Sequence, residues 1–183
     1  MKQVTRAKRA WAGPWHESIG AMPSWSELTM PLQGEALAAL RTHWRWRLGE
    51  RWQPLLASVL GDVFVELPAG SVWWLSTATG DQEQVAPSRA AFAQALQTDR
   101  IDEWLLPGLV SVLLAQGKRL LPGQCYTFAT LPVFEEGCFE AENLFVVDAA
   151  SHFAATAEVH RQLQGLPDGT AVRWDEAGPR PRG

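Results

Sequence analysis

The chain has 183 residues, of which 46% are apolar and 20% charged, so it can build one domain of ordinary size and global disorder is excluded. The net charge is −4, but residues 1–9 carry +4, whereas residues 10–172 carry nine basic and eighteen acidic side chains. Phosphate binding requires Lys and Arg on one face, so this acidic body argues against nucleic acid as the main ligand and favours a basic protein partner.

The cysteine count and the hydropathy pattern indicate where the protein works. Cys125 and Cys138 are too few for a disulfide scaffold, and no apolar run reaches the ~18 residues of a membrane-spanning helix. The basic N-terminus is interrupted at Gly13 and Pro14, before the apolar core of a secretory signal could form. We therefore expect a cytoplasmic protein with reduced thiols and no membrane partner.

Residues 1–30 are predicted to form an N-terminal arm on or near the domain. Steps into proline at Pro14, Pro23 and Pro31 interrupt any helix, because the residue before proline avoids the α region. The arm contains three tryptophans without clear periodicity: Trp11, Trp15 and Trp25. They either fold back onto the domain or bind a partner.

The first half of the domain, from residue 31, reads as helices followed by strands. Apolar residues at helical spacing predict a helix over Glu35 to Leu48, and Leu55 to Leu60 reads as a second, short helix. The period then changes to two. Val63 to Leu67 and Ser71 to Leu75, separated by a Pro-Ala-Gly turn, predict a β-hairpin, with a further strand over Gln82 to Val85.

The second half alternates helices and strands. Ser88 and Asp102 are predicted to cap helices that end near Gln97 and at Gly117, and Ser151 to cap a last helix that ends at Gly165. The predicted strands are Cys125 to Thr130, Leu144 to Val147 and Ala171 to Trp174, and residues 176–183 are expected to be a disordered tail. The sequence thus predicts a single compact α+β domain over residues 31–175, with a mainly antiparallel sheet and flanking helices.

The residues that could carry chemistry are scattered. His152 and His160 are eight residues apart on the predicted last helix, about 12 Å, so they cannot both bind one ion directly. Cys125 could act with His152 or His160 as a nucleophile and base, but the sequence carries almost no signal for this pair, and Cys125 is better interpreted as a small buried apolar residue. We expect no catalytic residue, metal, cofactor or small-molecule substrate, and therefore not an enzyme.

Acidic side chains concentrate in one stretch. Residues 120–160 contain no Lys or Arg, and four carboxylates lie on the connection between two predicted strands: Glu135, Glu136, Glu140 and Glu142. This pattern is typical of a solvated loop or of a negative patch that recruits a basic partner. With the arm tryptophans, these four residues are the candidate partner-binding residues.

Ordered blocks of residues resemble a known bacterial family. Leu120–Phe128, which reads Leu-Leu-Pro-Gly-Gln-Cys-Tyr-Thr-Phe, and the following Pro132 are similar to a motif of the C-terminal domain of type VI secretion DNase-immunity proteins. Further blocks fit in order across about residues 40–172: Gly61–Phe64, Gly70–Leu75, Thr79-Gly80, Glu142-Asn143, Asp148, His152, His160–Gln162 and Leu166–Gly169.

The resemblance implies a function class. Such proteins bind and neutralise a toxin that a neighbouring cell delivers, so we expect a cytoplasmic immunity protein that blocks the active site of a cognate toxin domain encoded by a neighbouring gene. The toxin would be a nuclease or a nucleotide-modifying enzyme. The alternative is a general protein-interaction or adaptor module of the same fold with no toxin partner.

Overall fold

The computed structural model describes residues 2–5, 22–175 and 178–181 and has the α+β class that the sequence predicts. The helices of these residues are α1 Trp25–Leu28, α2 Gly34–His43, α3 Arg45–Leu48, α4 Arg89–Ala95, α5 Arg100–Leu105, α6 Pro107–Ala115 and α7 Ala149–Leu163. The strands are β1 Lys2–Gln3, β2 Thr29–Met30, β3 Gln53–Ser58, β4 Val63–Glu66, β5 Val72–Leu75, β6 Gln82–Ala86, β7 Gln124–Phe128, β8 Leu144–Asp148, β9 Ala171–Asp175 and β10 Gly178–Pro181.

An antiparallel sheet in the order β2-β3-β4-β5-β6 forms the centre of the fold. The predicted hairpin is confirmed as β4 and β5, with Phe64 opposite Trp74. Two smaller antiparallel sheets, β7-β8 and β1-β9-β10, complete the strands of the described residues. None of the helices in these ranges is long and apolar enough to cross a bilayer.

The central sheet separates two apolar clusters, which explains its alternating pattern. Along β4, Val63 and Val65 belong to one cluster and Phe64 to the other. The Phe64 ring packs 5.0 Å from the Phe92 ring and 5.3 Å from the Trp104 ring, centroid to centroid, and so joins the sheet to α4 and α5. The opposite cluster packs α2 and α7 on the sheet around Trp44, which is fully buried.

The short helix predicted over Leu55 to Leu60 is wrong, because this stretch contributes strand β3 and the turn after it. Leu55 and Leu56 pack against one apolar cluster and Ala57 belongs to the other, so both faces of the strand are apolar. A strand that is apolar on both faces lacks the period of two, and a short apolar run of this kind cannot be told from a buried helix by periodicity.

Two predicted helices are each broken once. The first is interrupted at the buried Trp44, whose φ and ψ of −96° and 8° are not helical, so α2 ends there and α3 begins at Arg45. The second is interrupted at Leu106, which has φ 47° and ψ 55° directly before Pro107. Proline disfavours the right-handed helical conformation at the preceding residue, and here that residue is left-handed and separates α5 from α6.

The helix starts were predicted with mixed success. Ser88 does cap α4, because its Oγ accepts a hydrogen bond from the Ala91 N–H. The cap of α7 is Asp148 instead of Ser151: the Asp148 carboxylate accepts from the Ser151 N–H at 2.9 Å. Asp102 lies inside α5, which begins at Arg100.

The described parts of the N-terminal arm pack on the domain. Lys2 pairs with Val172 in the β1-β9 ladder, Val4 is 3% exposed, and Leu28 and β2 join the main body. Residues 6–21, with Trp11 and Trp15, lie outside the described residues. At the other end, Gly178–Pro181 forms β10 on β9, which differs from the disordered tail that the sequence suggests.

Candidate functional site

The four candidate glutamates lie on the connection between β7 and β8, residues 131–143, which we call the acidic connection. The side chain of Asn143 holds its two ends together: Oδ1 accepts from the Thr130 N–H, and Nδ2 donates to the carbonyl oxygens of Thr130 and Cys138 at 2.8 Å each. One amide thus fixes both ends of the connection and its middle, so the connection is built as an ordered structure.

Backbone and aromatic contacts tie the connection to the rest of the fold. Its Glu135 N–H donates to the Gln3 carbonyl, and the Thr5 N–H donates to the Val133 carbonyl. Phe134 and Phe139 are buried, and the Phe139 ring meets the Phe128 ring edge-on at 5.2 Å. The apolar side chains therefore point inward and the carboxylates point outward.

All four carboxylates are exposed to solvent, as the sequence predicts for a loop. Glu142 accepts a hydrogen bond from the Gln116 amide at 3.2 Å, and no basic side chain of the described residues forms an ion pair with any of the four. Lys118 lies next to the connection, but its ammonium group donates to the carbonyl oxygens of Ala141 and Leu144. The four carboxylates are consequently exposed without a basic partner among the described residues, and their role in binding stays a prediction.

Trp25, the third arm tryptophan, lies on α1 with about half of its surface exposed. The helix is fixed by a capping box, in which Ser24 and Glu27 satisfy each other's backbone N–H groups, and by the buried Leu28. Glu27 also pairs with Arg119 at 3.7 Å. Trp25 is thus presented on a well-anchored turn, but no measured contact connects it with the acidic connection.

A second group of polar residues meets inside the fold, and we call it the polar junction: Asp62, Thr77, Thr127, His152 and His160. The Asp62 carboxylate accepts from the Thr77 N–H at 2.9 Å and from the Thr77 hydroxyl at 3.4 Å. Because that hydroxyl donates to Asp62, it accepts from His152 Nε2, which lies 3.0 Å away. His152 Nδ1 then accepts from the Thr127 hydroxyl at 2.9 Å. The junction links the hairpin to β7 and α7.

Two glycines make this packing possible. Gly61 has a φ of +86°, and a Cβ there would lie 2.0 Å from His152 Nε2; at Gly80, with φ +76°, a Cβ would lie 2.6 Å from His160 Nδ1. Both positions therefore need glycine for the backbone angle and for the close approach. His160 donates through Nε2 to the Thr77 carbonyl at 2.9 Å, so both histidines fasten α7 to the same loop.

The pKa values of the buried histidines and of Cys125 favour a structural role over a catalytic one. Burial lowers the pKa of His152 and of His160 to about 4, so both imidazoles are neutral at physiological pH and are weak bases. Burial raises the pKa of Cys125 to about 12, whereas a nucleophilic thiol requires a lowered pKa. The Cys125–His pairing considered from the sequence thus has no electrostatic support. No cluster of three or more metal-ligating side chains occurs among the described residues.

A surface that the sequence did not single out lies around α2, α3 and the following loop, and we call it the Arg–Trp surface: Arg41, Arg45, Trp46, Arg51 and Trp52. The Arg41 guanidinium lies 4.3 Å from the Trp52 ring centroid and donates to the Trp52 carbonyl, and Arg45 pairs with Glu50. Open cavities of about 540 and 630 Å³ border it. In the sequence, the alternation of Arg and Trp in residues 41–52 is the pattern from which this surface could have been predicted.

The comparisons with known proteins give no further guidance, because no family model, curated protein or solved structure matches this chain.

Proposed function

We propose that this protein is a cytoplasmic immunity protein that binds a cognate type VI secretion toxin domain and neutralises it by covering its active site. The toxin would be a nuclease or a nucleotide-modifying enzyme, whose active site must attract phosphate and therefore carries Lys, Arg or a metal ion.

The observation that carries the proposal is the acidic connection. Its four carboxylates are exposed and have no basic partner among the described residues, while Asn143 and the buried Phe134 and Phe139 hold the backbone in place. A surface that is already ordered loses little conformational entropy when it binds. Unpaired negative charge accelerates encounter with a basic active site and disfavours acidic partners.

The resemblance noted in the sequence names the class of partner. The blocks Gly61-Asp62, Thr79-Gly80, His152 and His160 come from distant parts of the chain and meet at the polar junction. Residues that recur in order and also contact one another behave as one folding unit, which supports kinship with the immunity-protein domain. Because the junction is buried, it supports the fold, and the partner must be recognised elsewhere.

Neutralisation of this kind requires occlusion and charge, and no bond has to form or break. Carboxylates placed where the toxin binds phosphate oxygens can pair with the same Lys and Arg side chains. The toxin then loses access to its substrate for as long as the complex lasts.

The test is co-expression. The proposal predicts a neighbouring gene for a large secreted protein, and the probe is the C-terminal domain of that protein, expressed in a host cell with and without this chain. We expect the domain alone to stop growth and the pair to survive, with the two proteins co-purifying. A folded chain that neither binds this domain nor protects the cell contradicts the proposal and leaves the adaptor alternative.

A further inference from the structure

A cavity of about 350 Å³ lies between the β7-β8 pair and α7, next to the acidic connection. Its walls are mainly apolar: Phe128, Leu131, Phe134, Phe145, Val147 and Val159. The volume falls at the lower end of the range of small-molecule pockets and suits one large side chain.

The floor of the cavity offers few free polar groups. Thr127 and His152 both line it, but the Thr127 hydroxyl and His152 Nδ1 are bound to each other, and the Thr156 hydroxyl donates to the His152 carbonyl. A polar ligand would leave its own groups unsatisfied there, so the floor favours an apolar occupant.

The edge of the cavity includes an exposed apolar residue and adjoins the acidic connection. Phe145 keeps 47% of its surface exposed, although it is a large apolar side chain. Glu135 and Glu136 are exposed and directly follow Phe134 of the wall.

The lysine at the mouth is already engaged. Lys2 Nζ donates to the Thr130 hydroxyl at 3.1 Å and lies 5.2 Å from the centroid of the Phe134 ring. Lys2 is the one charged side chain among the described residues that line the cavity, while the acidic connection, which supplies Leu131 and Phe134 of the wall, carries four exposed carboxylates that match a positively charged ligand.

We propose that this cavity receives an aromatic side chain from a basic segment of the protein partner, while flanking Lys or Arg residues of that segment pair with Glu135 and Glu136. The inference rests on the proposed function, because it names the part of the toxin that would contact this chain. The ring would cover Phe145 and fill the cavity.

The proposed arrangement resembles the organisation of high-affinity protein interfaces, in which an anchoring side chain fills a pocket inside a polar rim. Binding energy concentrates in a few aromatic or Arg anchors that fill dry pockets, and a polar rim around them excludes water. The cavity provides the pocket and the acidic connection provides the rim. Removing the anchor would mainly accelerate dissociation, whereas changing the rim would mainly slow association.

The first experiment needs no toxin. The probe is the dipeptide N-acetyl-Arg-Phe-amide, and NMR shifts of the isotope-labelled full chain report where it binds. We expect the shifts to concentrate at Val147, Val159 and Phe145 and to saturate. The acidic analogue N-acetyl-Glu-Phe-amide should bind a few-fold more weakly, because exposed charge pairs contribute about 0.2–1 kcal/mol each.

Two matched variants test the location. Ala155 is exposed on α7 and lines the cavity, so Ala155→Phe fills the cavity from the solvent side. Ala93 is exposed on α4, outside the cavity, and Ala93→Phe is the control. We expect Ala155→Phe to weaken binding of the Arg-Phe probe about tenfold or more and Ala93→Phe to leave it unchanged, with both variants folded by circular dichroism.

The second experiment repeats the comparison with the toxin domain used for co-expression. Faster dissociation of that domain from Ala155→Phe, but not from Ala93→Phe, supports the anchor. Unchanged binding by Ala155→Phe overturns it while the immunity function stands. A third outcome is that no toxin domain binds, while the Arg-Phe probe binds in the cavity and Ala155→Phe abolishes binding of the probe. That result supports the cavity as a binding site and contradicts the proposed function. Shifts spread over the surface, or equal binding of the two dipeptides, overturn the inference.

Discussion

The polar junction and the acidic connection use their titratable groups in opposite ways. At the junction, Asp62, His152 and His160 are buried and hydrogen-bonded to threonines: Asp62 and His160 to Thr77, and His152 to Thr77 and Thr127. On the connection the backbone is held firmly, but the four glutamate carboxylates face solvent without basic partners among the described residues. The junction ties elements of the fold together, whereas the connection exposes its charges to solvent.

The two regions separate residues that stabilise the fold from residues that are exposed to a partner. Gly61, Gly80, His152 and His160, which belong to the blocks of the family resemblance, lie at or against the junction. Such residues can be shared by proteins with different partners. Substitutions at the junction should therefore change stability, and substitutions on the connection should change binding.

The largest effect is expected at Gly61. Gly61→Ala places a Cβ 2.0 Å from His152 Nε2 at a φ of +86°, so the junction must open or the imidazole must move. We expect a loss of roughly 3 kcal/mol or more in the free energy of unfolding, measured by urea denaturation.

Gly70 is the matched control, because it has the same φ of +86° and a Cβ added there would meet no atom within 4 Å. Gly70→Ala should lose only the cost of the left-handed backbone, about 1–2 kcal/mol. Equal losses at the two positions would show that backbone strain alone matters and that the close contact with His152 does not.

The next effect concerns pH. The folded-state pKa of His152 and of His160 is about 4, against 6.5 in an unfolded chain, so the unfolded state binds more protons between these values. This contribution to stability is fully present above pH 6.5 and is lost as the pH falls towards 4. Each histidine should give a slope of about 1.4 kcal/mol per pH unit in the middle of that window.

The measurement is urea denaturation at several pH values between 5 and 7. The Asp62 carboxylate is linked to His152 through the Thr77 hydroxyl, and the charged groups that act on the pKa of His160 are Asp81 and Arg47. Replacing His160 by Gln should halve the slope. A wild-type free energy of unfolding that is flat from pH 7 to 5 would mean that the imidazoles titrate normally.

The sequence predicted much of the fold because local patterns dominated there. The hairpin at Val63–Leu75, the cap at Ser88 and the exposed glutamates follow from alternation, side-chain capping and charge. One error occurred where tertiary context decides: strand β3 lies between two apolar clusters and loses its alternation. The break at Leu106 is a local effect of Pro107, because the residue before proline is disfavoured in the right-handed α region, and the apolar helical pattern predicted a continuous helix in spite of it.

The features of the candidate site also differ in whether a local sequence pattern reveals them. The acidic connection was visible as a run without Lys or Arg, whereas the polar junction was not, because Asp62, Thr77 and His152 are far apart in the sequence. The cavity beside the connection depends on how β8 and α7 pack, which no local pattern encodes.

Charge reversal on the acidic connection tests whether its exposed carboxylates contribute to binding. Replacing Glu135 and Glu136 by Lys should slow association with the toxin domain about tenfold at low salt and weaken its dependence on salt, because steering acts through long-range charge. Stability should change by less than about 0.5 kcal/mol, since both side chains are exposed.

The control reverses another exposed acidic pair, Asp102 and Glu103 on α5, with the same change in net charge. Stopped-flow association rates at several salt concentrations distinguish the two variants. If both slow association equally, net charge steers the encounter and the acidic connection has no special part in it.

The smallest effect is expected at the arm tryptophans, which compete with the connection as the contact surface. Deleting residues 1–26 is a poor test, because it removes strand β1 and the buried Val4 and so disturbs the fold. Trp25→Ala is cleaner, since the side chain is half exposed and α1 keeps its capping box and the buried Leu28. We expect equilibrium binding of the toxin domain, measured by calorimetry, to weaken less than about threefold.

A tryptophan at the centre of an interface is worth at least about 2 kcal/mol, or roughly thirtyfold in affinity. A loss of that size at Trp25, with an unchanged association rate for the Glu135 and Glu136 reversal, would move the contact surface from the acidic connection to the arm.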